Sequence, residues 1–214
     1  NGSTCSRKEL EVLLEKSGLG EYRMYYPYPE RWFPMSMYSD HWLPGAGELN
    51  QNLRNFEGER LVLFDEEKVY DQIIADGRFP EFSNTFLIVA GSERTDLPVY
   101  VKYSNDRAKE FMIRTDILKT EDGCQVRKVP VSQEAKAHVT AMKHWEEVLG
   151  TQYAAACVKV NHCELKEDAA YFEFLSGHTL EERLDDLRAQ KEYGKLAEAL
   201  QEYKKLLLAC LQRE

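Results

Sequence analysis

The sequence predicts an α+β protein with an antiparallel β-sheet. Five short segments between residues 99 and 175 have strand-like composition, and Glu121-Asp122-Gly123 joins two of them as a tight hairpin turn. One long helical stretch, from about Gln133 to Leu149, follows the third segment, with Ser132 as its expected N-cap and Gly150 after it. The five expected strands are Val99–Tyr103, Phe111–Lys119, Cys124–Val131, Val158–Leu165 and Ala170–Leu175.

Residues 22–44 are the most unusual part of the chain. They hold eight aromatic residues and four of the seven prolines. The prolines argue against a long helix or a central strand, and the aromatic side chains are too apolar for a flexible linker. We therefore expect an ordered, irregular, aromatic-rich layer that carries an edge β-hairpin.

Several shorter elements surround this layer. Ser6 and Glu9 form a capping-box pattern that starts a helix running to Ser17. Strands are expected at Glu21–Tyr26 and Asn84–Ala90, with a further short strand at Leu61–Phe64. Each of two more helices has an expected N-cap residue, Asp65 for one and Thr179 for the other, and a last helix begins near Lys191. Composition changes between Gly91 and Pro98, so we expect two units, residues 1–95 and 96–214.

Composition excludes several functions. The net charge of −9 repels phosphate backbones, so nucleic-acid binding is not expected. No apolar run approaches the roughly 20 residues that cross a bilayer. Five scattered cysteines without a CxxC pair fit a reducing cytoplasm. The glycine-rich, serine-nucleophile and zinc-protease motifs are absent.

The order of elements after residue 96 resembles the N-lobe of protein-kinase-like folds: three strands, one long helix, two strands, a linker and helices. Lys128 stands where that family has its third-strand lysine. The resemblance implies that Lys128 contacts nucleotide phosphates and pairs with a helix glutamate, with Glu134 as the candidate and Glu146 as second choice. Lys128 equally fits an exposed edge-strand lysine, and Glu134 fits a carboxylate that favours the helix dipole.

The string YFEFLSGHTLEERL, from Tyr171, resembles the hinge-to-helix passage of aminoglycoside and choline kinase-like proteins. It implies that Glu173, Phe174 and Leu175 form a hinge whose backbone contacts adenine. The sequence departs from the family in the glycine-free loop Ser104–Glu110 and in lacking the catalytic and metal-binding acids that would follow the last helix. We therefore expect no catalytic residue, no metal ligand and no phosphoryl transfer by this chain alone.

The first helix and the strand after it resemble the closing segment of class I S-adenosylmethionine-dependent methyltransferases, where a helix leads into an antiparallel strand pair. Strands 21–26 and 84–90 would form that pair. The glycine loop that binds the cofactor is absent, so no residue is assigned to S-adenosylmethionine. The residues that fill the helix pattern are Ser6, Glu9, Leu10, Leu13, Leu14, Gly18 and Leu19.

Together the two resemblances imply a fragment of a bacterial methyltransferase/kinase-like protein of surface-polysaccharide gene clusters. No cofactor is expected on this fragment, while the parent would use ATP with Mg²⁺ and S-adenosylmethionine. Its acceptor would be a glycan or a lipid-linked glycan. The apolar last helix also suggests self-association into a homo-oligomer.

Two alternatives stay open. The chain can be a complete, non-catalytic, degenerate kinase-like module that binds a nucleotide or a partner. It can also be a small enzyme with an aromatic pocket that stacks on sugar rings. That pocket would be lined by Tyr25, Tyr26, Tyr28, Trp32 and Trp42.

Overall fold

One antiparallel β-sheet organises the molecule. The computed structural model describes residues 5–49, 66–91, 97–153 and 159–211. Within them the sheet has eight strands. These are β1 (Tyr22–Tyr28), β2 (Ser36–Ser39), β3 (Leu87–Ala90), β4 (Tyr100–Tyr103), β5 (Ile113–Thr120), β6 (Gly123–Pro130), β7 (Cys163–Lys166) and β8 (Ala169–Glu173). Their order across the sheet is β3-β1-β2-β4-β5-β6-β8-β7.

Five α-helices accompany the strands in the described part of the chain. They are α1 (Arg7–Lys16), α2 (Glu66–Ala75), α3 (Lys136–Gln152), α4 (Leu180–Ala189) and α5 (Tyr193–Leu211). Helices α1 and α4 begin with capping boxes, in which Ser6 pairs with Glu9 and Thr179 with Glu182. The sequence predicts the capping box of α1 and, for α4, the Thr179 cap. The expected Asp65 cap and the strand 61–64 lie outside the described residues.

The expected five-stranded sheet with one long helix is wrong. Strand β2 pairs with β4, with Ser36 opposite Lys102, so strands from both halves of the chain share a single sheet of eight. Helices α3 and α5 are both long, with 17 and 19 residues. Hydrophobic periodicity finds strands one at a time, and it does not show which strands pair across a long separation.

The expectation that the prolines of residues 22–44 exclude an interior strand is wrong for β1. Strand β1 pairs with β2 on one side and with β3 on the other. Pro27 is tolerated because β3 begins at Leu87, opposite Tyr25, and so does not extend along β1 as far as the proline. The pairing of Tyr22–Tyr25 with Leu87–Ala90 agrees with the antiparallel pair that the sequence suggests, and this pair lies at one edge of the sheet, with β3 as the outermost strand.

Helix α3 differs from its predicted bounds at both ends. Ser132 Oγ accepts a hydrogen bond from the Ala135 amide at 3.1 Å, but regular helix begins only at Lys136. The helix continues through Gly150 to Gln152, because one glycine weakens a helix without ending it.

Two apolar clusters lie on the same face of the sheet. The first is aromatic and sits under α1 and α2, with Tyr26, Tyr38 and Phe79 at its centre. The second joins Ile113 and Ala170 to Val139 of α3. The two halves meet around residue 98, where the Tyr25 hydroxyl donates to the Pro98 carbonyl at 2.6 Å and Ser39 Oγ to the Val99 carbonyl at 2.6 Å. Residues 92–96 lie outside the described part of the chain.

Candidate anion-binding site

Lys128 lies in the interior of the sheet, on β6. Thr115 of β5 is opposite it on one side and Ala170 of β8 on the other, while Lys102 of β4 is opposite Thr115. Opposed residues of antiparallel strands point to the same face, and Ala170 packs towards α3. Lys102, Thr115 and Lys128 therefore form a line across the helix-covered face, which we call the cationic row.

The surroundings of Lys128 are positively charged. Burial, together with repulsion from Arg107 and Lys102, holds the pKa of Lys128 below its ordinary value. Among the described residues, no carboxylate forms an ion pair with Lys128. A half-buried ammonium group that repels its neighbours is destabilising by itself, and an anion bound there would remove that penalty.

The loop that carries Arg107 is ordered without glycine. The Ser104 amide donates to the Ile113 carbonyl at 3.0 Å, and Ser132 Oγ donates to the Lys109 carbonyl at 2.8 Å. Asn105 Nδ2 donates to the Pro34 carbonyl at 2.9 Å. These bonds tie the loop to β5, to the segment before α3 and to the first half of the chain. Arg107 is exposed, so its guanidinium is accessible to a ligand over the cationic row.

An apolar row runs beside the cationic row. Tyr100 is opposite Ile117, Ile117 opposite Val126, and Val126 opposite Phe172. Tyr100, Ile117 and Val126 are each two positions along their strand from a member of the cationic row. The two rows therefore share a face and are separated by about 7 Å. A planar apolar group joined to an anionic group would match such a surface.

The expected glutamate partners do not contact Lys128 in the described structure. Glu134 precedes α3, and its pKa is lowered by hydrogen bonds with its own backbone amide and with Ser132, and by Lys109. Glu146 lies on α3, where it bonds to Lys143 and His162. The described structure shows each glutamate bonded elsewhere, and the pairing of Lys128 with Glu134 stays a prediction.

The expected hinge residues lie at the C-terminal end of β8, the strand that pairs with β6, and directly after it. Glu173 closes β8, and its carboxylate pairs with Lys159 at 3.0 Å. Its backbone carbonyl accepts from Asn161 Nδ2 at 2.9 Å, so one hydrogen bond of this carbonyl is already used. Phe174 contacts Trp42, and Leu175 is 56% exposed.

The five aromatic residues of the alternative sugar pocket do not lie together as the lining of one pocket. Tyr26 and Tyr28 belong to the aromatic core, while Tyr25 alternates with them along β1 and so points to the other face. Trp32 is 76% exposed and contacts the Arg31 guanidinium. Of the five, Trp42 lies nearest to the expected hinge, through its contact with Phe174.

Sequence reasoning missed a charged cluster on the opposite face. Asp116 is fully buried, and Arg114 binds it with both Nε and Nη2, at 2.8 and 3.0 Å. Arg127 contacts the same carboxylate through Nε at 2.9 Å. The turn between β5 and β6 could have indicated this cluster, because a hairpin with that turn has a register that places Asp116 directly opposite Arg127.

The described residues contain no group of three or more His, Cys, Asp or Glu side chains that could hold a metal ion. No helix in the same residues is long and apolar enough to cross a membrane. Comparison with family models, curated proteins and solved structures finds no match to this chain.

Proposed function

We propose that the chain binds the phosphate groups of a nucleotide such as ATP at Lys128, Lys102 and Arg107. In this proposal it is part of a kinase-like or methyltransferase/kinase-like protein that acts in the cytoplasm on surface glycans or lipid-linked glycans. The observation that carries the proposal is the half-buried Lys128, which has two cationic neighbours and no ion pair with a carboxylate among the described residues.

The neighbouring apolar row supports a nucleotide over a simple anion. A nucleotide joins a flat, largely apolar base to phosphates through a sugar, and on one face the cationic row lies beside an apolar row on which aromatic rings pack. Phosphate is also the anion that clustered Lys and Arg side chains recognise well. In this proposal the parent protein also uses Mg²⁺ and S-adenosylmethionine, and no described residue of this chain is assigned to either.

The test is calorimetric titration with ATP, in the absence and presence of Mg²⁺. We expect saturable binding by the unmodified chain and a loss of at least about ten-fold in affinity for Lys128→Met, because one charge-assisted contact contributes about 1.5–3 kcal/mol. Lys119→Met is the matched control, since Lys119 is an exposed lysine on the adjacent strand. Equal affinities for the two variants, or no binding at millimolar ATP, would overturn the proposal.

A second candidate is a degenerate, non-catalytic kinase-like binding module. The hydrogen bonding of Glu134 to Ser132 rather than to Lys128, and the glycine-free loop, favour it. The two candidates differ in whether the full-length gene product turns over ATP. Binding without measurable ATP turnover by that product supports the module, whereas Lys128-dependent turnover supports the transferase.

A further inference from the structure

We propose that Trp42, from the first half of the chain, is the platform on which the base of the bound nucleotide stacks. This inference rests on the proposed function, because it concerns the same ligand. It assigns base recognition to a residue 58 positions before Tyr100 and far from the expected hinge in sequence. The aromatic-rich segment then forms one wall of the site.

Trp42 contacts one ring at each end of the apolar row: Tyr100, which is its first member, and Phe174, which follows its last member, Phe172, by two positions. Its indole stacks on Tyr100, with centroids 6.0 Å apart and ring planes at 26°. It also meets Phe174 edge to face at 5.4 Å and 87°. Strands β5 and β6 separate β4 from β8, so an indole that reaches both rings crosses over the row. Ile117, beneath this crossing, is only 6% exposed.

The indole is held in place by its backbone and by the aromatic core. Two backbone hydrogen bonds join Trp42 to Ser39, at 2.9 and 3.1 Å, and Ser39 is fully buried and bonded to the Val99 carbonyl. Tyr100, which supports the indole, packs on Tyr38 at 5.1 Å. A ring fixed in this way is a pre-organised surface rather than a lid, and it loses little conformational entropy on binding.

The spacing between Trp42 and the cationic row suits a nucleotide. Tyr100 under the indole and Lys102 are two positions apart on β4, about 7 Å along the strand. Lys128 and Val126 have the same spacing on β6. A base on the indole therefore leaves its phosphates over Lys102 and Lys128. Trp42 is partly exposed, so part of its surface is free for a ligand.

The first test compares ATP with inorganic tripolyphosphate, which has the phosphates but no base. We expect Trp42→Leu to weaken ATP binding by about 5-fold or more, the range for loss of base stacking, and to leave tripolyphosphate binding within two-fold. Trp42→Phe should keep most of the ATP affinity. Trp145→Leu, which removes a tryptophan 55% exposed on α3, is the matched control and should change neither ligand. Circular dichroism verifies that each variant is folded.

The second test uses Trp42 as a reporter. In the Trp32→Phe/Trp145→Phe background Trp42 is the remaining tryptophan, because the chain has three. ATP should quench its fluorescence with the dissociation constant found by calorimetry, and tripolyphosphate should quench it far less.

The outcomes separate the two proposals. If ATP binds in a Lys128-dependent way but Trp42→Leu leaves the ratio of ATP to tripolyphosphate affinity unchanged, the platform is wrong and the proposed function stands. If Trp42→Leu tightens ATP binding, the indole blocks the base and the platform is likewise wrong. If neither ligand binds the unmodified chain, both proposals fail.

Discussion

The Asp116 carboxylate offers the sharpest test of how the sheet is stabilised. Asp116 has 0% exposure, and all its charge is balanced by Arg114 and Arg127. Asp116→Asn keeps the size of the side chain, removes the charge and turns an NH₂ group towards two guanidinium donors. Both arginines then lose their ionic acceptor while their backbones stay in the sheet.

The cost follows from burial. Removing one partner of a fully buried ion pair costs about 3–5 kcal/mol. The side chains of Arg114 and Arg127 are 36% and 17% exposed, so each can regain part of its hydration. We therefore expect Asp116→Asn to lower the free energy of unfolding by about 2–4 kcal/mol.

Urea or guanidinium unfolding, followed by circular dichroism, measures this loss. Glu164→Gln is the matched control, because Glu164 and Lys166 are also two positions apart on one strand but are 53% and 56% exposed. An exposed pair contributes at most about 1 kcal/mol, so the control should change little. If Asp116→Asn costs no more than Glu164→Gln, the burial argument is refuted.

Three further predictions concern single residues. Burial and two cations lower the pKa of Lys128, so the unfolded chain binds the Lys128 proton more tightly than the folded chain does. The free energy of unfolding should therefore rise with pH up to about 10.4. At pH 7 Lys128→Met should unfold at a higher denaturant concentration than the unmodified chain, and this difference should disappear near pH 10. Burial raises the pKa of Tyr38, so the folded state keeps a proton that the unfolded chain loses above about pH 10. The free energy of unfolding, measured by unfolding curves at pH 9 to 11, should therefore fall with pH, and it should fall less steeply for Tyr38→Phe than for the unmodified chain. Thr179→Ala removes the cap of α4 and should cost about 1 kcal/mol, seen as faster amide exchange in residues 180–189, while unchanged exchange would contradict the cap.

Local structure was predictable wherever short-range chemistry determines it. The capping box at Ser6, the N-cap at Thr179 and the hairpin turn at Glu121-Asp122-Gly123 depend on neighbours within four residues, and the structure contains all three. The joining of the two halves was not predictable, because the β2–β4 pair brings together residues more than 60 positions apart. The prolines also led to a wrong prediction for β1, which is an interior strand, because Pro27 lies beyond the part of β1 that pairs with β3.

The candidate site was predictable in part. Residue order placed Lys128 on a strand before a long helix, and the structure puts it on β6 before α3. Its row with Lys102 depends on the β4–β5 register, which no local signal specifies. The contact of Trp42 with Phe174 depends on how the aromatic segment folds over the sheet, and neither residue indicates the other in the sequence.

The most direct test of phosphate binding at Lys128 observes its ammonium group during a titration. Lysine side chains are labelled by reductive ¹³C-methylation, and the Lys128 signal is assigned by its absence from the Lys128→Arg variant. On addition of ATP, we predict a saturable shift of the Lys128 methyl signal and little change at Lys119. If ATP binds while the Lys128 signal stays fixed, the ligand lies elsewhere and the proposed site is wrong.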